Sequence, residues 1–184
     1  MSVPSRVQLV ATLAAKAALR TLGYLDIIAG LDSVEAGAAM RLPSQGASGV
    51  SDSVTGTTWQ ATDWFDTGSA TPETGGRGLT PDLDSGTLTV ESGGDGWYEL
   101  KYHASLTASE DTEIAINRNR SGVHVQTVES RCEGGILSSC SASDLVQLQE
   151  GDVLRIVART GNGLTSNMEV FSAQWTALRV LPAE

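Results

Sequence analysis

The chain has 184 residues, a hydrophobic fraction of 40%, 18% charged residues and a formal net charge of -10 at pH 7. Its length and apolar content suffice for one large domain, or a medium domain with an appendage, and its 20 glycines suggest many turns, as in an all-β body rather than a helix bundle. The acidic balance excludes nucleic-acid binding as the main role, because displacing counterions from phosphates needs clustered Lys and Arg.

The charge is unevenly placed. Residues 1–42 hold four basic side chains, Arg6, Lys16, Arg20 and Arg41, against three acidic ones, Asp26, Asp32 and Glu35, so the negative charge lies almost wholly beyond them. A near-neutral apolar segment joined to an acidic, turn-rich body suggests an anchored end and a solvated end. No run approaches the roughly 20 apolar residues that span a bilayer. Lys16 and Arg20 interrupt the apolar stretch after Arg6, so neither a membrane span nor a secretory signal is expected.

Ser5 is placed to cap a helix beginning at Arg6, and the run to Leu22 is rich in good helix formers. Val7, Val10, Ala14 and Ala17 follow a three-four spacing, with Leu9, Leu13 and Leu22 as a second stripe, and Leu25, Ile28, Leu31 and Val34 continue at spacings of three. The apolar surface is wide for a lone helix. It suits burial against partner chains or a host surface, the alternative being a helical hairpin packed on its own domain. We therefore expect an α-helical attachment arm over residues 1–42, with Val7, Val10, Leu13, Leu22, Leu25, Ile28 and Leu31 as its docking residues.

Leu42-Pro43 stops that helix, and residues 43–58 have the composition of a flexible linker. A β body is expected over residues 59–184, beginning with a strand in WQATDWFD and followed by a surface loop from Thr67 to Gly78. Leu88 and Val90 alternate with threonines before a glycine turn. Next comes GDGWYELKYHASL, Gly94 to Leu106, whose even positions from Tyr98 to Leu106 are apolar or aromatic and whose odd positions from Trp97 to Ser105 are mostly polar. Successive strand side chains point to opposite faces, so this is expected to be the central strand of an antiparallel sheet with Leu100 inside and Glu99 outside. Thr112–Asn117 and Val123–Thr127 predict a hairpin around an Asn-Arg-Ser-Gly tip, and Asp144–Gln149 with Val153–Arg159 a second one, joined by Glu150-Gly151-Asp152. Met168–Leu181 supplies a long last strand. Seven or eight strands separated by turns predict a sandwich.

Chemistry is sparse. His103 lies on the polar face of the central strand and His124 alternates with valines. Ser138, Ser139, Ser141 and Ser143 lack the Gly-x-Ser-x-Gly elbow of a hydrolase nucleophile. Glu110, Asp111 and Glu113, and Asp82 with Asp84, read as solvated turns rather than a metal cage, and no calcium-loop spacing or phosphate-cradling glycine loop is present. We expect no enzyme activity, no catalytic or metal-binding residues and no cofactor. Cys132 and Cys140, eight positions apart, are a disulfide candidate, with two free thiols as the alternative.

The glycine-bounded entry into an aromatic strand ending Tyr-His-Ala-Ser resembles the globular head of the complement component one q family, the trimeric jelly roll shared with tumour necrosis factor. The stretch LVQLQEGDVLRIVA, Leu145 to Ala158, is similar to that family's strand, Gly-Asp turn and strand, and FSAQWTALRV, Phe171 to Val180, falls at its last strand, with Ala173 where the family has glycine. The resemblance covers roughly Pro81 to Leu181. It implies an antiparallel jelly-roll β-sandwich and a homotrimer, with Trp97, Tyr98, Leu100, Tyr102, Phe171 and Trp175 as core or trimer-interface residues. The collagen-like stalk common in that family is absent, replaced by the helical segment and linker. An attachment arm, a neck and a jelly-roll head look like the decoration or short-fibre proteins of tailed-phage particles. The expectation is therefore a virion-located structural protein with a capsid or other virion partner, without nucleic-acid or membrane partners, a host-surface glycan being a further candidate. The alternative is a secreted or cell-surface lectin-like module.

Overall fold

A computed structural model describes residues 37–42, 49–65, 71–74 and 78–182, which fall within one compact unit, Ala36–Ala183. The expected helical arm, with Val7, Val10, Leu13, Leu22, Leu25, Ile28 and Leu31, lies outside the described residues apart from its last six positions.

Twelve strands occur among the described residues: β1 (Gly37–Leu42), β2 (Val50–Thr55), β3 (Gln60–Ala61), β4 (Thr71–Thr74), β5 (Leu79–Asp82), β6 (Thr87–Val90), β7 (Gly96–Ala108), β8 (Thr112–Arg120), β9 (Val123–Cys132), β10 (Leu137–Leu148), β11 (Val153–Thr160) and β12 (Thr165–Pro182). They form two antiparallel sheets. Sheet A has the order β10-β7-β12-β1-β4, with β2 also on β12, and sheet B has the order β5-β6-β11-β8-β9, with β3 also on β11. This is the antiparallel jelly-roll sandwich expected from the sequence.

The period-two reading of β7 is matched residue by residue. Tyr98, Leu100, Tyr102, Ala104 and Leu106 are buried, while Trp97, Glu99, Lys101, His103 and Ser105 alternate with them on the outer face. The strand lies between β10 and β12, so its apolar row meets Ile114, Ile116, Leu154 and Ile156 from the opposite sheet in one core. The β8–β9 hairpin also forms. Its two-residue tip, Ser121-Gly122, has φ of 51° and 83°, the left-handed pair that matches strand twist, and the Asn119 side chain accepts the Gly122 N–H at 2.9 Å.

Four expectations are corrected. Residues 37–42 are not the end of a helix. GAAMRL pairs with β12 from Leu178 to Ala173 and sends Ala38, Met40 and Leu42 into the core, so the open sheet edge overrides the helix propensity of Ala and Met. The stretch expected as a linker, 43–58, contains β2, which pairs with Thr165–Val170 and buries Val54. The stretch expected as a surface loop contains β4, paired with β1. Finally, β10 and β11 do not form a hairpin. The turn between them crosses the sandwich, because β10 pairs with β7 in sheet A while β11 pairs with β6 and β8 in sheet B.

That crossing is fastened by a charge pair whose carboxylate is buried and whose guanidinium is partly exposed. Asp152 is fully buried, accepts the Gln149 N–H at 2.9 Å, and takes two bonds of 2.7 Å from the Arg120 guanidinium at the end of β8. The bidentate carboxylate keeps Arg120 firmly charged. An earlier crossing, from β6 to β7, is closed by Tyr98, whose hydroxyl donates to the Gly94 carbonyl at 2.6 Å. Gly94 permits this because a Cβ there would lie 2.3 Å from the Gly78 carbonyl oxygen.

Candidate functional site

The aromatic residues proposed for the core or a trimer contact divide cleanly. Tyr98, Tyr102 and Trp175, together with Leu100, are core residues of a single chain. The Tyr102 hydroxyl donates to the Ile114 carbonyl at 2.9 Å and contacts Ser130 Oγ, and burial pushes its phenol up to about 12. Burial likewise raises Tyr98. Of the two roles expected for them, these three take the core one and fill the gap between the sheets.

Phe171 is half-buried and sits at a β-bulge, where the pairing of β12 with β7 shifts between Val170 and Ser172. The extra residue reverses strand parity. Met168 and Val170 point inward before it, and Ala173, Trp175 and Ala177 after it. The same bulge divides the other edge of β12, whose residues up to Val170 pair with β2 and from Ala173 onward with β1.

Trp97 is the most exposed of the proposed aromatics, at 39%. It stands on the outer face of sheet A, opposite Gln147 of β10. Leu145 and Leu137 on the same face of β10 are 50% and 64% exposed. Between them run Ser139, Ser141 and Ser143, facing Ser105, His103 and Lys101 of β7, and beyond these Gln174 and Thr176 of β12. The small serine side chains leave a shallow depression of about 530 Å³ at this centre. Charge on this face is locally compensated, with Lys101 Nζ 2.8 Å from Glu99.

His103 faces Ser141 on one side and Gln174 on the other, and no hydrogen bond joins imidazole to hydroxyl. Neither a relayed base nor an activated serine results. Four of the five carboxylates noted in the sequence are committed to local bonds: Asp82 to the Ser85 hydroxyl and Asp84 N–H, Asp111 to the Gly134 N–H and Arg131, Glu110 to Asn162, and Glu113 to Arg159. The Ser85 hydroxyl holds Asp82 below the usual carboxylate range, and the Gly134 N–H, then Arg131, do the same for Asp111. Among the described residues no group of three or more His, Cys, Asp or Glu side chains is arranged to hold a metal.

Cys132 and Cys140 form a disulfide with a Cα–Cα distance of 5.8 Å. The strands place it at a junction: Cys132 closes β9 of sheet B, Cys140 lies in β10 of sheet A, and both are buried. The bond ties the adjacent edges of the two sheets.

Searches of known structures find the same architecture. The chain is similar to Eiger TNF from S. frugiperda, with a TM-score of 0.54 at 12% identity over 81% of this chain and 96% of that one. It is also similar to murine APRIL, with a TM-score of 0.50 at 14% identity over 78% of this chain and 98% of that one. The fold is a TNF-like jelly roll. No protein-family model matches the sequence, and a search of curated proteins finds no significant match. Each match spans nearly the full length of the other structure.

Proposed function

We propose that this protein is a structural, non-enzymatic subunit that assembles as a homotrimer through the outer face of sheet A and serves as a capsid-decoration or head-fibre protein on a virion. The carrying observation is that face: a row of small serine side chains around a shallow depression, with a compensated Lys101–Glu99 charge pair, ended by the exposed apolar side chains of Trp97, Leu145 and Leu137. Small polar side chains permit close approach between copies, and the apolar ends supply the desolvation that stabilises an interface. The sequence layout supports the virion assignment, since an apolar, near-neutral N-terminal segment precedes an acidic head. Sedimentation at micromolar concentration should give a trimer, and a Trp97→Glu/Leu145→Glu variant should give a folded monomer. A stable wild-type monomer would refute the assembly. Purified particles should contain the chain in fixed ratio to the major capsid protein.

A secreted or cell-surface lectin-like module is the second reading. The Cys132–Cys140 disulfide favours it, because such bonds persist in oxidising surroundings, although virion surfaces share that environment. Recovery of the chain from medium or cell envelope, and never with particles, would select this reading.

A further inference from the structure

The outer face of sheet B carries a groove of about 590 Å³, within the range typical of small-ligand sites. Strand register explains its lining. Arg155 of β11 lies opposite Asn117 of β8, which lies opposite Gln126 of β9. In the next outward-facing row, Val153 lies opposite Asn119, and Asn119 opposite His124. Residues two apart share a face, so a row of amides and an imidazole runs beside an apolar floor of Val153 and Val157. Trp59, arriving on the segment before β3, walls the groove. Its ring is held by the Arg159 guanidinium, stacked 4.3 Å from the ring centre and itself bound to Glu113 at 2.6 Å.

The chemistry of this lining is selective. Among the described residues no Asp or Glu lines the groove, although the chain carries a net charge of -10. A cationic ligand would find no counter-charge there. The one cation in the lining, Arg155, is ion-paired through Nη2 with Asp63 at 3.3 Å and also bonds the Thr62 carbonyl at 3.4 Å, so its charge is compensated in place, although its buried Nε has no partner. What remains is a set of neutral donors and acceptors beside an aromatic wall. A side-chain amide offers a donor and an acceptor together, matching neighbouring hydroxyls, and an indole packs against the apolar C–H surface of a pyranose ring. His124 Nδ1 lies 3.0 Å from Asn117 Oδ1, which orients both side chains and leaves His124 Nε2 and Asn117 Nδ2 for a ligand. The groove lies on a sheet face and not at an unpaired edge, so a peptide cannot add to it as a further strand.

We infer that this groove binds a neutral oligosaccharide, with Trp59 as the stacking platform and Asn117, Asn119, His124 and Gln126 reading the hydroxyls. The inference does not rest on the assembly proposed above, because the groove and the proposed subunit contact lie on different sheets. A trimer joined through sheet A would display three such grooves outward.

The test uses the full chain on a printed array of neutral, sialylated and sulfated glycans, with each hit titrated as the free oligosaccharide by calorimetry. The expected result is binding to at least one neutral glycan, weakened tenfold or more by Trp59→Ala and by Gln126→Ala, each with an unchanged melting temperature. Trp97→Ala, on the other sheet, should leave the affinity for the free oligosaccharide unchanged even where it alters sedimentation. Binding to no neutral glycan, binding only to acidic ones, or an affinity indifferent to both groove variants would overturn the inference without touching the assembly reading.

Discussion

Replacing Leu100 with Ala tests the central strand. Leu100 is fully buried, and on its own strand it lies between Tyr98 and Tyr102, each anchored by a hydroxyl hydrogen bond to a backbone carbonyl. Strand β7 is itself clamped between β10 and β12. With neighbours fixed on the strand and strands fixed on both sides, the site has little freedom to collapse into the space left by the lost methyl groups. The expected cost is therefore in the upper part of the Leu→Ala range, about 3–5 kcal/mol, or roughly 6–20 °C in melting temperature for a domain of this size. Glu99→Ala, one residue earlier, removes only an ion pair with Lys101 in which both side chains are a third or more exposed, worth at most about 1 kcal/mol. Thermal melts of both variants at two protein concentrations measure the contrast. The Leu100→Ala loss should persist at both, whereas any Glu99→Ala effect arising from assembly should depend on concentration. Equal losses for the two variants at low concentration would refute the strand register and the core built on it.

Arg120→Ala should destabilise by about 3–5 kcal/mol, because it leaves the Asp152 carboxylate buried without its cation; urea titration should find most of that loss absent when Asp152→Asn is added. Replacing both cysteines with Ala should cost about 2.5 kcal/mol by loop entropy, and the same titration with reductant should bring the wild type toward the variant. Asp111 has a depressed pKa in the folded chain, so its stabilising contribution is full above about pH 4, the ordinary carboxylate range, and is lost as pH falls through its folded value. Asp111→Asn should accordingly flatten the acid limb of a stability-pH profile while leaving the slope near pH 7 unchanged. Deleting residues 1–36 should preserve the near-ultraviolet circular dichroism of the β unit, whereas deleting residues 1–42 should abolish cooperative melting, since β1 carries Met40 and Leu42 into the core.

What the sequence made legible was local, and what it concealed depended on distant partners. The alternation of β7 and the Ser121-Gly122 tip are properties of consecutive residues, and both can be read without the rest of the chain. Nothing in GAAMRL distinguishes a helix end from a strand. Its fate is decided by the free edge of β12, more than 130 positions away in register. The Glu150-Gly151-Asp152 turn poses the same problem in another form. A Gly-Asp turn between two apolar runs suits a hairpin, and only the pairing of β10 with β7, with Asp152 reaching Arg120, turns it into a crossing between sheets.

The bulge at Phe171 shows how one such distant feature governs the surface as well as the core. A strict period of two through β12 would place Trp175 on the same face as Phe171. One inserted residue instead lets Val170 and Trp175, an odd number of positions apart, share the interior. The alternation after the bulge turns Gln174 and Thr176 outward beside His103 and Lys101, where they complete the polar field of sheet A. Without the bulge Trp175 and these polar residues would exchange faces. The core would then lose one of its largest fully buried side chains, and the proposed subunit contact would gain an indole in place of its close-approach surface. The polar field of sheet A is thus set by a backbone irregularity between Val170 and Ser172, which alternation read along the sequence does not reveal.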